Sequence, residues 1–168
     1  MTRTALDDAF DHHVWATLRL LDMCLDLSPE QLAATAPGTY GSILDTIRHL
    51  VGADAAYLYV LTGGRVAQID EEEMDVPELR SAMADFGPAW SELLAGEPDP
   101  EQVVVRKRDD GSESRAPMSV RLAQALHHGT DHRSQVCTVL TTLGIEPPEI
   151  DVWAYAHADG RLVMTEPA

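Results

Sequence analysis

His128 and His132 stand four residues apart within His127-His128-Gly129-Thr130-Asp131-His132-Arg133-Ser134-Gln135. On a helix that spacing puts two side chains on one face, one turn apart. Two imidazoles so placed can close on one metal ion, because the helix sets their separation before the metal arrives. A third ligand has to come from another element. His49, in a separate helical run, is the best candidate; His12 or His13 could replace it on geometry that spacing leaves open. His127 points about 100° away from His128 and does not easily share its face. Three histidines with an open position are the usual recipe for a catalytic rather than a structural site. Imidazole suits zinc, nickel, copper or ferrous iron, so the ligands alone do not name the metal. Zinc and nickel rank first, with iron and manganese behind them. A zinc protease of the His-Glu type needs Glu directly after the first histidine of the pair. Gly129 stands there, which disfavours a metallopeptidase.

Other side chains could support such a site. Asp45 lies one turn before His49 and could orient that imidazole as a carboxylate partner; a capping role fits it equally well. Arg133 and Gln135 are placed to line the pocket or to lock their helix to a neighbour, and the structural role suits Arg133 better. Cys137 reads as a small buried apolar residue.

These residues need helices to carry them. Thr4 to Leu27 has helical apolar spacing, and Ser28-Pro29-Glu30-Gln31 reads as the start of a short helical turn. Ser42 to Leu61 is the second long helix, with Ser42 as N-cap and Asp45 at the third helical position. Its stripe of Ile43, Ile47, Leu50 and Leu58 faces inward, and His49 lies beside that stripe. Arg65 to Asp75 is a polar connection whose acidic run, Asp70 to Glu73, suits a solvated loop. A third long helix runs from Val76-Pro77 to about Ala95, with a kink or break expected at Gly87-Pro88. Val103 to Val105 and Glu113 to Ala116 flank Asp109-Asp110-Gly111-Ser112, a hairpin signal. Ser119 to Leu143 is the fourth long helix, capped by Gly144, and Ile150 to Ala156 forms a last short one. Four long helices with apolar stripes and no partner sheet make a bundle, where facing helices can build a metal site.

Composition limits the function. Residues 1–168 read as a single domain by length. Lys and Arg total 12 against 28 Asp and Glu, a formal charge of −16. Such a surface repels phosphate backbones and anionic lipid, so neither nucleic acid nor membrane is an expected partner. No apolar run approaches the roughly 20 residues of a membrane helix. Two cysteines do not make a disulfide scaffold, and the first residues lack the apolar core of a signal peptide, so the cytoplasm is the expected location.

The motif His128-Gly129-Thr130-Asp131-His132-Arg133-Ser134-Gln135 resembles the signature of the DinB/YfiT-like metalloenzymes, usually H-x-x-x-H-R-G-Q. Gly41 to Leu50 is similar to that family's first-ligand helix. Asp54 falls where the family often has an acid, and Tyr57-Leu58 where it often has an aromatic followed by Leu. Ser134 departs from the usual Gly, which bears on the packing of that turn and not on the ligands. The resemblance implies an all-α four-helix bundle with up-down-down-up connections, into which the hairpin signal sets a small β-hairpin before the last long helix, and often a homodimer. It implies a metal triad on His49, His128 and His132. Some relatives transfer or isomerise with mycothiol, bacillithiol or glutathione. A divalent ion on three imidazoles lowers the pKa of water toward about 7, or holds a thiol as the reactive thiolate. The leading expectation is therefore thiol activation for S-transfer or isomerisation. Hydrolysis by metal-activated water comes second, and a non-catalytic metal-binding protein is the third class.

Overall fold

The computed structural model describes residues 3–108 and 110–165. Its elements run α1 (Ala5–Cys24), α2 (Pro29–Leu32), α3 (Ile43–Leu61), a 3-10 turn (Glu71–Glu73), α4 (Val76–Ala95), β1 (Val103–Lys107), β2 (Glu113–Pro117), α5 (Met118–Thr142) and α6 (Val152–Ala158).

Polar caps set most helix starts. Thr4, Ser42 and Asp75 each accept a hydrogen bond from the third helical residue, which returns one to the cap backbone, so α1, α3 and α4 open with full capping boxes. α5 follows β2 directly, with Pro117 at its start and no side-chain cap. α1 ends at Cys24, three residues short of the expected Leu27. The last helix is Val152–Ala158, two residues later than expected, because Asp151 caps it through the Ala154 N–H. The hairpin forms as expected: Val103 pairs Pro117 and Lys107 pairs Glu113. Gly111 (φ +81°) supplies the left-handed residue of its turn, and Asp109 lies outside the described residues.

Of the kink or break expected at Gly87-Pro88, the break does not occur. α4 runs as one helix with Pro88 inside it. Phe86, Trp90, Leu93 and Leu94 are all buried around that point. Burying four such side chains outweighs the roughly 3 kcal/mol penalty of an interior proline. Gly87 brings α4 close to α1: a Cβ there would meet Val14 Cγ1 at 3.3 Å.

The four long helices form a ring in which α1 adjoins α4 and α5, while α3 adjoins α4 and α5. Phe10 packs on Trp90 near one end of α1, and Asp22 pairs with Arg80 near the other, so α1 and α4 are antiparallel. Tyr40 meets Gln135 while Tyr57 meets His128, so α3 and α5 are antiparallel too. Arg48 near the start of α3 meets Met74 just before α4, and Arg65 just past α3 meets Glu92 near the end of α4. α3 and α4 therefore run parallel, and the order is up-down-down-up. Leu20, Leu21, Ile43, Ile47, Leu58, Leu79, Met83 and Leu140 fill the interior. Among the described residues no helix is long and apolar enough to cross a membrane.

Candidate metal centre

The antiparallel seam of α3 and α5 brings the three predicted histidines together. His49 projects from α3 and His128 and His132 from successive turns of α5. One nitrogen from each ring lies within 4.8 Å of the other two, a group that could hold a metal ion. His49 Nε2 and His128 Nε2 are 3.0 Å apart. A hydrogen bond at that distance needs a proton on one of the two nitrogens. A shared ion needs both bare, and nitrogens bonded at about 2.0–2.1 Å to one ion can stand about this far apart. The rings meet edge to face rather than stacked, with interplanar angles of 62°, 86° and 69°. The three rings therefore lie in different planes around the place where their nitrogens gather.

The surroundings favour neutral rings. Burial lowers the His128 pKa to about 4, assisted by the charges of His132 and His49. Burial also lowers that of His49, with His132 adding to the effect while Glu71 and Glu72 oppose it. Neutral imidazole is the form that binds metal. Gln135 acts on the third ring. Its Oε1 accepts from the backbone N–H of Tyr40 (2.8 Å) and pairs with His132 Nδ1 (3.3 Å). An amide oxygen can only accept, so Nδ1 carries the proton and Nε2 is left bare. Tyr40 completes the wall, stacked on His49 at 4.2 Å and edge-on to His132.

Asp45 does not play the part considered for it. Its Oδ2 accepts from both the backbone N–H and the hydroxyl of Ser42 (3.1 and 2.7 Å), closing the cap of α3. Among the described residues no hydrogen bond joins it to His49. The capping alternative is the one observed, because the third position of a helix points back at its own N-cap.

Arg133 is a buried bolt beneath the histidines. Its Nη1 donates to His13 Nδ1 (2.9 Å) and Thr17 Oγ1 (3.1 Å), and Nη2 donates to Thr130 Oγ1 (3.3 Å). Burial lowers its pKa to about 10, and the Asp54 carboxylate opposes that shift. A guanidinium only donates, so His13 Nδ1 must be the acceptor and its Nε2–H donates to Asp54 Oδ2 at 2.8 Å. One chain of bonds thus ties α1, α3 and α5 together across the interior. The same chain rules on the alternative ligands: His13 is committed here, and His12 bonds the Ile150 carbonyl at 2.8 Å. His127 lines a separate groove with Leu6, Leu94 and Leu122. Gly129 is explained as well. A Cβ there would fall 2.3 Å from His13 Cε1 and 2.9 Å from Arg133 Nη1.

Sequence reasoning passed over Tyr40, the bond between His13 and Asp54, and Glu71. Two signals pointed their way: an acid on the inward stripe of α3, and glycines at 52 and 129 inside long helices.

The sequence matches the DinB family profile over residues 1–166. The chain belongs to the DinB family. Among solved structures it is similar to YfiT from Bacillus subtilis, described as a probable metal-dependent hydrolase with an unusual four-helix bundle topology. The two share 13% identity, with 87% of this chain and 91% of YfiT covered at a TM-score of 0.61, a likeness of fold. No curated protein matches the chain in sequence.

Proposed function

We propose that this DinB-family chain is a metal-dependent hydrolase whose divalent ion is held by His49, His128 and His132. The observation that carries the proposal is the convergence of three imidazole nitrogens within 4.8 Å of one another. Zinc and nickel suit the all-imidazole donor set best, ahead of iron and manganese. When bound, such an ion supplies a fixed positive charge that polarises a substrate carbonyl and brings water toward ionisation near pH 7.

The chain's own groups do the rest. Gln135 keeps His132 in the tautomer that offers Nε2. Tyr40 lies parallel against the His49 ring and covers one of its faces. Arg133, through His13 and Asp54, keeps α5 in register with α3 so that the two histidine turns face each other. YfiT, which shares the fold, is described as a probable metal-dependent hydrolase, and that description supports the choice of water as nucleophile. Thiol transfer, also implied by the family resemblance, would use the same three ligands. Glu71 and Glu72 act on His49 and work against an anionic cosubstrate such as glutathione or bacillithiol.

The test is metal analysis of the purified protein, followed by a panel of esters and amides with the zinc- and nickel-loaded forms. A parallel panel offers mycothiol, bacillithiol and glutathione with electrophiles. Hydrolysis that vanishes in His128→Ala supports the proposal. Metal-dependent thiol consumption without hydrolysis replaces it with the transferase reading. Stoichiometric metal with neither activity moves the protein to the non-catalytic class.

A further inference from the structure

Gly52 sits in the middle of α3, buried, three residues beyond His49. A glycine there costs about 1 kcal/mol of helix stability relative to alanine. A side chain explains why it is tolerated. A Cβ on residue 52 would lie 2.3 Å from Glu71 Cδ, 2.5 Å from Oε1 and 2.7 Å from Cγ. The carboxyl group of Glu71 therefore rests on bare helix backbone, in space that any other residue would fill.

The chain holds Glu71 in that notch. It opens the 3-10 turn Glu71–Glu73, which packs on α3. Arg48, beside His49, donates its Nε–H to the Met74 carbonyl (2.9 Å) and fastens the end of the turn to the same helix. Glu71 is half-buried, while Glu72 and Glu73 are exposed. None of the ion pairs among the described residues includes it. Gly52 lies three residues past His49, the spacing that puts both on one face of α3, so the notch that holds the carboxyl is next to that ring. Glu71 is not part of the group whose nitrogens lie within 4.8 Å of one another, so it stands outside the ligand set.

We propose that Glu71 is the proton acceptor of the site and that Gly52 is bare in order to admit it. The inference rests on the hydrolase reading and deepens it. Water at the open face of the triad loses a proton to Glu71 Oε1. The electron pair of the broken O–H bond forms the new bond to the electrophilic carbon of the substrate. The proton then passes from Glu71 to the leaving group as its bond to that carbon breaks. The family of zinc proteases with Glu directly after the first histidine carries this base on the ligand helix. Here position 129 is closed by His13, and the acid arrives from a different segment.

The test uses the zinc-loaded full chain and acetohydroxamic acid, which is neutral in solution and binds zinc as its anion. Calorimetry in two buffers of different ionisation enthalpy counts the proton released. With an acceptor in place the proton stays on the protein, so wild type should release close to none. Glu71→Gln should release about one proton per site. Glu71→Gln should also keep its zinc affinity within about threefold and lose about 100-fold or more in kcat for an activated ester, with KM little changed. Gly52→Ala, which pushes the carboxylate off the helix, should reproduce the proton release of Glu71→Gln. Should Gly52→Ala fail to fold, the Gln variant decides alone. Equal proton release by wild type and Glu71→Gln, with zinc bound to both, overturns the role of Glu71 and leaves the hydrolase reading standing. Failure of wild type to bind zinc or nickel overturns both.

Discussion

Gln135 Oε1 receives the proton of His132 Nδ1 across 3.3 Å, while the backbone N–H of Tyr40 donates to the same oxygen from 2.8 Å. One amide thus fixes the tautomer of a histidine and the position of the aromatic ring beside it. Gln135 is three residues past His132, the spacing that puts both on one face of α5.

Removing that amide should weaken metal binding without abolishing it. Gln135→Ala should lose about 10–100-fold in zinc affinity, the usual effect of deleting a group that orients a ligating histidine. Competition against a chromogenic chelator reads the change. Gln135→Glu keeps an acceptor in place and should retain most of the affinity; equal losses in both variants would mean that acceptance at Nδ1 is unimportant.

Metal content should separate the seven histidines into two groups. His49→Ala, His128→Ala and His132→Ala should each lose stoichiometric metal on dialysis. His127→Ala should keep it, because that ring lines a different groove. Elemental analysis of the four variants checks both halves.

The metal-free protein should lose stability as pH falls. His128 titrates at about 4 in the fold, below its ordinary value of 6.5. Between those values the unfolded chain binds more protons than the folded one, so acid favours unfolding. The contribution of His128 is complete above pH 6.5 and drains away toward about pH 4. His49 shifts in the same direction. Thermal midpoints measured across that range should fall more steeply for wild type than for His128→Gln. Parallel curves would contradict the buried, mutually repelling arrangement of the rings.

The bolt beneath the site should be costly to disturb. His13→Ala strips Asp54 of its hydrogen-bond donor and Arg133 of an acceptor, leaving charges in the interior without their partner. A loss of about 3–5 kcal/mol in urea denaturation is expected. Gly129→Ala drives a methyl group into His13 and should cost about 1–3 kcal/mol by overpacking. A neutral result for Gly129→Ala would mean that α1 and α5 can separate there without penalty.

Much of the fold could be read from the residues. Ser28 and Ser42 are capping residues with an amide or acid partner in reach, and such short-range chemistry needs no tertiary knowledge. The pairing of His128 with His132 is likewise fixed by helix geometry. The choice of His49 over His13 was not fixed in that way. Both histidines lie in helices, and only the packing of α1 against α5 reveals that His13 faces Arg133 and Asp54. Asp45 left two roles open for a related reason: one turn from His49 satisfies the spacing for an orienting carboxylate, while the third helical position suits a cap, and Ser42 takes its oxygen. That α4 does not end at Pro88 could not be read locally, because propensity carries no information about four buried side chains around it. Glu71 was invisible, since a residue of an acidic run looks solvated until the space above Gly52 is known.

His49 and His128 are separated by 79 positions along the chain. An ion shared between them would act as a cross-link, bridging two packed helices that the chain itself connects only by way of α4 and the hairpin. Occupancy at about a thousand times the dissociation constant would add about 4 kcal/mol against unfolding. The thermal endurance of this protein would then follow the metal supply of its surroundings, so that starvation for the ion removes the scaffold's clamp together with its reactivity.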